Sequence, residues 1–139
     1  MSVGAERALR NYQSVGAHSA VAAADPYRLV QLMLENILQR IAAARGHMER
    51  NEVARKGEQV SKAIAVIGAL NASLNLDLGG EIAGNLRSLY DYSCMRLMHA
   101  NARNDDAAFE EVVNIVRTIK DGWDGIGETV RDSAARAAP

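Results

Sequence analysis

Apolar residues recur at the spacing of one helix face in four successive stretches of the chain. The first stretch begins after Asp25-Pro26, where aspartate is a favoured N-cap residue and proline fits the first helical position. Its apolar positions are Val30, Met33, Leu34, Ile37, Leu38 and Ile41. The pattern predicts a helix that ends near residues 45–47, with Gly46 in the left-handed conformation.

The next two stretches predict a second and a third helix. The second begins near Asn51, an N-cap residue type, and ends in a break at residues 75–80. Its apolar positions are Val60, Ala63, Ile64, Ile67, Leu70 and Leu74. The third helix is expected from about Glu81 to about Arg103. Its core-facing positions are Ile82, Leu86, Leu89, Tyr90 and Leu97.

Asn104 is the predicted cap of a fourth helix, and Asp105 and Asp106 suit the positive end of its dipole. Its apolar positions are Phe109, Val112, Val113, Val116, Ile119, Trp123 and Ile126. No window alternates with a period of two, so no strand is predicted. Because helices joined by short connections lie antiparallel, the sequence predicts an all-α fold, an antiparallel up-down-up-down four-helix bundle over residues 25–127.

The two ends of the chain are predicted to lie outside this bundle. Residues 1–24 are interpreted as an N-terminal cap segment, with a short helix around residues 5–13 followed by a linker rich in Gly, Ala and Ser. Residues 128–139 have no apolar stripe beyond Val130 and are expected to form a flexible tail.

Charge and cysteine content narrow the possible functions. The chain has 139 residues, and 16 Lys and Arg against 17 Asp and Glu give a formal charge of −1. This balance argues against nucleic acid or an anionic membrane as the main partner. Cys94 is the only cysteine, so no internal disulfide can form. With no signal peptide and no apolar run of the roughly 18 residues that a membrane span needs, we expect a cytoplasmic protein.

No residue pattern points to catalysis, a metal or a cofactor. Glu-x-x-His pairs, from which di-iron sites in helical bundles are built, do not occur in the sequence. Gly79-Gly80 lacks the Lys-Ser/Thr of a phosphate-binding loop and is better explained as a helix break. Cys94 is expected to be a small buried residue rather than a nucleophile. We therefore predict a protein that is not an enzyme and that carries no cofactor and no metal.

Short motifs along the chain resemble those of one known family. They are Tyr12-Gln13-Ser14-Val15, Asp25-Pro26-Tyr27, Gly79-Gly80-Glu81-Ile82-Ala83, Asn85-Leu86, Leu89-Tyr90-Asp91-Tyr92, Ala100-Asn101 and Trp123-Asp124-Gly125-Ile126. Over about residues 12 to 126 the chain resembles the FliS family of flagellin-specific export chaperones. The run from Gly79 to Asn101 is the specific part, because amphipathic stripes alone match many helical bundles.

The resemblance implies a cytoplasmic chaperone of the flagellar type III secretion route. Members of the family bind the disordered C-terminal segment of newly made flagellin, keep it from polymerising and help to deliver it to the export gate, without consuming nucleotide. The implied partners are therefore flagellin and a component of the export gate. We expect no nucleic acid, no membrane insertion, and a monomer or weak homodimer.

A surface for such a client needs apolar side chains beyond those of the core. The candidates for this surplus are Leu29, Leu32, Val66, Ala69, Tyr92, Met95, Met98 and Ile115. The amides of Asn85 and Asn101 suit the backbone of an extended segment. The alternative is that the apolar residues complete a wide core and that Asn101 has only a structural role at the end of its helix. The predicted client-binding residues are Tyr12, Tyr27, Leu29, Leu32, Met33, Ile67, Asn85, Leu86, Tyr90, Tyr92, Met98 and Asn101.

The N-terminal segment carries Leu9 and Tyr12 as apolar anchors on a polar stretch. We expect it to dock reversibly in an apolar groove and to be displaced by the client. The alternative places Tyr12 in the permanent core. Two rival classes of function also stay open. One is a structural homodimerisation module without a secreted client, whose surplus apolar face is buried against a second copy. The other is an enzyme or metal-binding bundle, for which the sequence shows no supporting residues.

Overall fold

The computed structural model of the protein describes residues 25–137, with side chains described for residues 25–75 and 79–126. This part of the chain contains no strand and forms four α-helices: α1 (Pro26–Glu49), α2 (Val53–Ala72), α3 (Leu76–Arg103) and α4 (Asp106–Ala137). The predicted all-α fold is confirmed. Residues 1–24, with Leu9 and Tyr12, lie outside the described residues.

Contacts near the ends of the bundle show that neighbouring helices run antiparallel. Tyr27, near the start of α1, contacts Trp123 in the second half of α4. The start of α2 reaches the end of α3, where the Lys56 ammonium donates a hydrogen bond to the carbonyl oxygen of Asn101. Helices α1 and α3 each pack between α2 and α4. The arrangement is the predicted up-down-up-down bundle.

The core is built from the predicted apolar stripes, except that Ile82, Leu89 and Ile126 are exposed, so their assignment to the stripes was wrong. The side chains with no exposed surface are Met33, Leu34, Ile37, Ala44, Ala63, Leu97, Ala100, Ala108, Phe109 and Val112. Their removal from water is the main term that favours folding. Two polar residues, Lys56 and Ser93, are buried with them.

The connection between α1 and α2 differs from the prediction. Helix α1 continues through Gly46 to Glu49, and the left-handed residue is Asn51, with a φ of 58°. Asparagine tolerates this conformation better than most residues, so it reverses the chain after the last turn. The predictions of Gly46 as the helix stop and of Asn51 as the N-cap were therefore wrong. Glu52 precedes α2 and makes no side-chain cap bond to it.

The break between α2 and α3 is shorter than predicted. Helix α2 ends at Ala72 and helical structure resumes at Leu76. A kink follows at Gly80, whose φ of 54° and ψ of −128° are not helical. The long part of α3 therefore starts after Gly80, which agrees with the expected start near Glu81.

The connection between α3 and α4 also corrects one prediction. Asn104 is left-handed, with a φ of 50°, and Asp105 caps α4 in its place. The Oδ1 of Asp105 accepts a hydrogen bond from the backbone N–H of Ala108 at 3.3 Å. This bond lowers the pKa of Asp105, and His99 contributes further. The backbone of α4 stays helical through residues 128–137, and the flexibility expected there stays a prediction.

Candidate functional site

Large apolar side chains are exposed mainly on one helix. In the part of the chain whose side chains are described, seven are exposed; two of these are Val53 on α2 and Ile126 on α4. The other five, all on α3, are Ile82 (74% exposed), Leu89 (39%), Tyr92 (37%), Met95 (54%) and Met98 (56%). We term these five residues the α3 apolar face. A group of exposed apolar residues marks a binding site, whereas single ones are common on any protein.

The residues of the α3 apolar face follow a regular spacing. Four of them are three residues apart, namely Leu89, Tyr92, Met95 and Met98. Residues at this spacing form an inclined ridge on a helix surface. With a rise of about 1.5 Å and a turn of about 100° per residue, the ridge from Leu89 to Met98 rises about 14 Å and winds about half way around α3. Ile82 lies about two turns before Leu89 on the same side of the helix.

The opposite side of α3 is built largely from small residues. The buried residues of α3 are Ala83, Tyr90, Ser93, Leu97 and Ala100. Ile82 and Leu89, which the pattern assigned to the core, are exposed instead, so that prediction was wrong. Ile82 is exposed although it lies about five turns before the buried Ala100 on the same side of α3, so the described residues leave this side uncovered in the first turns of the long part of α3. A helix that exposes isoleucine, leucine and methionine while burying alanine does more than complete the core.

A polar cluster borders the α3 apolar face on the side of α4. The Tyr92 hydroxyl donates to Oε2 of Glu111 at 2.8 Å, and Nε of Arg96 donates to Oε1 at 2.7 Å. These two bonds lower the pKa of Glu111, and the same carboxylate raises the pKa of Tyr92. Glu111 therefore stays ionised and holds the polar end of Tyr92, while the ring contributes to the apolar face.

The border on the side of α2 contains Asp91 and Cys94. The side-chain amide of Asn71 on α2 donates to Oδ1 of Asp91 at 2.8 Å. Burial raises the pKa of the half-buried Cys94 thiol, and the Asp91 carboxylate adds to the shift. A thiol kept in its neutral form is a poor nucleophile, so this border is a packing contact rather than a reactive centre.

Tyr27 takes part in a clasp between α1 and α4. Its ring stacks on Trp123, with ring centroids 4.6 Å apart. The Tyr27 hydroxyl donates to the carbonyl oxygen of Trp123 at 2.8 Å, and the indole N–H donates to the carbonyl oxygen of Tyr27 at 3.0 Å. Beside them, the Gln31 amide donates to Asp124 at 2.7 Å. The clasp fixes the end of the bundle at which residues 1–24 join α1.

Helical bundles with an exposed apolar face serve many functions, and comparison with known proteins distinguishes between them. The family model described as flagellar protein FliS matches residues 8–130. The chain belongs to the FliS family. The resemblance drawn from the sequence motifs is thereby confirmed.

Relatives in the FliS family cover most of the chain. The flagellar secretion chaperone FliSB of Pseudomonas aeruginosa is 44% identical over 122 residues, which are 88% of this chain and 97% of the relative. The flagellar secretion chaperone FliS of Salmonella typhimurium is 40% identical over 116 residues, covering 83% of this chain and 86% of the relative. The protein of the same name from Bacillus subtilis is 30% identical over 116 residues, covering 84% of this chain and 86% of the relative.

The structure separates the predicted client-binding residues of this FliS-family protein into three groups. Exposed are Asn85, Tyr92 and Met98; half-buried are Tyr27, Leu32, Leu86 and Asn101; buried are Leu29, Met33, Ile67 and Tyr90. Tyr12 lies outside the described residues. Tyr92 and Met98 come together on the α3 apolar face, whereas the buried four lie in the core and contact no partner unless helices separate.

Of the predicted surplus apolar residues, those on α3 are exposed, whereas three of those on α1 and α2 are buried. Met95 and Met98 are exposed as expected. Leu29, Val66 and Ala69 are buried, so the prediction that they exceed the needs of the core was wrong. Their helices α1 and α2 bury a wider arc of surface than α3 does, because each packs closely against the other.

Three residues of the α3 apolar face were missing from the predicted binding set: Ile82, Leu89 and Met95. Their spacing relative to Tyr92 is visible in the sequence. The same spacing also fits a core stripe, so the pattern shows that a ridge exists but not which way it faces.

The described residues offer contacts rather than reaction chemistry. Among them, no group of three or more His, Cys, Asp or Glu side chains lies close enough to share a metal ion. None of the described helices combines the length and the apolar composition needed to cross a membrane. The polar groups beside the α3 apolar face are paired with each other, as in the Tyr92–Glu111–Arg96 cluster.

Proposed function

We propose that the protein is a cytoplasmic flagellar secretion chaperone that binds the disordered C-terminal segment of flagellin on the α3 apolar face. In this role it prevents premature polymerisation of flagellin and aids its delivery to the flagellar type III export apparatus. Membership of the FliS family supports the chaperone role, since the relatives are named flagellar secretion chaperones. The observation that carries the choice of surface is the row of exposed apolar side chains on α3.

The hydrophobic effect favours covering this face. Full burial of a side chain the size of Leu, Ile or Met is worth about 1.5–3 kcal/mol. Ordering a disordered segment on binding costs about 2–5 kcal/mol or more. Several partly exposed side chains together therefore offset the ordering cost, whereas a single exposed residue such as Val53 does not.

The polar borders give the bound segment a defined position across α3. Apolar contacts are not directional, so they do not select one placement by themselves. The ionised Glu111 on one side and the Asp91 carboxylate on the other disfavour apolar client residues at the edges of the face. A client segment with apolar residues along its centre and polar residues at its edges fits this pattern.

The proposed function is binding, with no catalytic step and no cofactor. The second proposed partner is a component of the export gate, which receives the client from the chaperone. In the absence of client we propose a monomer or weak homodimer, because the α3 apolar face is also able to bury against a second copy.

Isothermal titration calorimetry with purified flagellin tests the proposal. We expect a complex of equal stoichiometry with intact flagellin and no binding to flagellin that lacks its C-terminal segment. A failure to bind intact flagellin refutes the proposed client. A stable homodimer that flagellin does not dissociate supports the homodimerisation module instead.

Matched charge substitutions test the choice of surface. Met98→Glu places a carboxylate on the α3 apolar face, and Val53→Glu places one at an exposed apolar position on α2. We expect Met98→Glu to weaken flagellin binding by about tenfold or more, because the carboxylate loses water without gaining a partner. We expect Val53→Glu to bind as the unsubstituted protein does. Equal affinities of both variants, with circular dichroism showing both folded, would place the site elsewhere.

A further inference from the structure

The methionines of the chain differ sharply in exposure. The sequence contains five, of which Met1 lies outside the described residues. Met33 is completely buried and Met48 is half-buried against the core. Met95 and Met98 are 54% and 56% exposed and lie one turn apart on the α3 apolar face. We propose that Met95 and Met98 form a reversible oxidation site, whose sulfoxides prevent client binding while leaving the fold intact.

The chemistry requires a peroxide as the oxidant. The thioether sulfur attacks one oxygen of hydrogen peroxide, the O–O bond breaks and a sulfur–oxygen bond forms. The sulfur gives up two electrons, the peroxide takes them, and one water molecule leaves for each methionine. Methionine sulfoxide reductases return the sulfoxide to the thioether at the expense of a dithiol, which gives up two electrons and two protons and becomes a disulfide while the oxygen leaves as water, so the modification is reversible.

Oxidation makes the α3 apolar face more polar, and client binding depends on the apolar character of this face. A sulfoxide is polar and accepts hydrogen bonds, whereas the thioether is apolar and flexible. A client that covers the face would have to remove water from two sulfoxide oxygens without pairing them, which is unfavourable. The inference rests on the proposed function, because it assumes that this face is the client surface.

Because Met95 and Met98 are exposed, their oxidation leaves the fold intact. More than half of each side chain is in contact with water, so oxidation buries no new polar group in the folded protein. The core methionine, Met33, has no exposed surface and is protected from peroxide. Cys94 competes poorly for the oxidant, because it is half-buried and its raised thiol pKa keeps the reactive thiolate scarce. Selective oxidation of the two surface methionines is therefore expected.

The test uses the full chain treated with hydrogen peroxide, with the oxidant removed before flagellin is added. Peptide mass spectrometry should show sulfoxides at Met95 and Met98 and an unmodified Met33. Calorimetry should then show flagellin affinity reduced by about tenfold or more. Thermal unfolding should be unchanged, and the two epimer-specific methionine sulfoxide reductases, supplied with a dithiol reductant, should restore the affinity.

A double variant, Met95→Leu with Met98→Leu, separates these two methionines from other oxidation targets. Its affinity is compared only with itself before and after peroxide, and we expect no change on treatment. Loss of affinity in this variant on treatment would overturn the inference, since the cause would lie elsewhere in the chain. So would full oxidation of both methionines in the unsubstituted protein without loss of affinity. If the untreated protein does not bind flagellin at all, the proposed function itself fails.

Discussion

Single polar side chains hold together the end of the bundle that contains the first and third connections. Lys56 is 4% exposed, and its ammonium donates to the carbonyl oxygen of Asn101 at 2.8 Å and to Oδ1 of Asn104. The last carbonyls of a helix lack partners within the helix and lie at the negative end of its dipole. A buried cation from α2 therefore stabilises the end of α3. Between α1 and α4, Nε of Arg45 forms an ion pair with Oδ1 of Asp106 at 2.8 Å.

Replacing Lys56 with methionine tests this contribution. Lys56→Met keeps most of the apolar stem but leaves the two oxygens at the end of α3 without their donor. We expect the free energy of unfolding to fall by about 1–3 kcal/mol, measured by urea denaturation. Lys62→Met on the same helix is the control, because the Lys62 side chain is 43% exposed and its ammonium forms an i,i+4 ion pair with Glu58. Its expected cost is no more than about 0.5 kcal/mol, and equal costs for the two variants would contradict the assignment.

Glu52 makes the stability of the first connection depend on pH. Its Oε1 lies 2.9 Å from Nδ1 of His47 and 2.7 Å from Nε of Arg50, and these contacts lower the pKa of Glu52 from 4.5 to about 2. A carboxyl group whose pKa is lower in the folded state adds stability above its unfolded pKa. This stability is lost as the pH falls through the folded pKa.

Glu52→Gln should therefore unfold more easily than the unsubstituted protein at neutral pH. The difference in the free energy of unfolding should shrink as the pH falls from about 4.5 to about 2, because the carboxyl of the unsubstituted protein is then protonated. Urea denaturation at several pH values measures this. Glu49→Gln is the control, since Glu49 forms no ion pair among the described residues. A difference that stays constant down to pH 2 would rule out the carboxylate as its source.

Among the four helices, α3 exposes the most large apolar side chains in the described part of the chain and buries several small residues. Its inner side carries two alanines and a serine beside Tyr90 and Leu97, while the residues of the α3 apolar face are exposed. The kink at Gly80 sets the direction in which the long part of α3 leaves the connection from α2. The backbone there has a positive φ, which glycine adopts without the steric cost that a Cβ atom imposes.

Two glycines of α3 should respond in opposite ways to alanine. Gly80→Ala forces a side chain into the positive-φ conformation, and we expect a loss of about 1–3 kcal/mol in the free energy of unfolding. Gly84→Ala lies in regular helix with no atom within 4 Å of the added Cβ, and we expect a gain of up to about 1 kcal/mol. Urea denaturation compares the two. A gain at both positions would show that the kink is not maintained in solution.

At the scale of the whole molecule, side-chain hydrogen bonds join each pair of neighbouring helices, and the α3 apolar face is left uncovered by the described residues. Helix α1 is held to α4 near both of its ends, by the Tyr27–Trp123 clasp and by Arg45 with Asp106. The α3 apolar face has no such cover from the side chains of residues 25–75 and 79–126. A rigid bundle with one exposed apolar face suits the binding of a disordered partner, because only the partner loses conformational entropy on binding.

Deleting residues 1–14 tests whether the N-terminal segment competes with the client. These residues lie outside the described part of the chain, and the proposal that Leu9 and Tyr12 occupy an apolar groove rests on their sequence. If the segment competes, its deletion should raise the affinity for flagellin or the association rate, measured by calorimetry and stopped-flow fluorescence. A full-length variant with Leu9→Ser and Tyr12→Ser should show the same increase. Unchanged affinity and rate in both proteins would exclude competition.

The sequence by itself determined which segments are helical, the order of the helices and the family. Periodic apolar spacing is a local property, and short connections leave an antiparallel order as the simple solution. Helix ends were predicted less well. Asn51 and Asn104 are both cap residue types at the start of a helix, but both end the preceding helix in the left-handed conformation. One residue type serves both purposes, so only the backbone conformation distinguishes them.

Only the tertiary structure decided which side of α3 faces inward. Leu89 and Tyr90 are neighbours about 100° apart on the helix, so either side of α3 offers apolar residues to a core. Packing against α2 and α4 buried Tyr90 and left Leu89 exposed. The burial of Leu29 and Val66 was likewise decided by the approach of other helices. Burial depends on residues distant in sequence, and no local spacing contains that information.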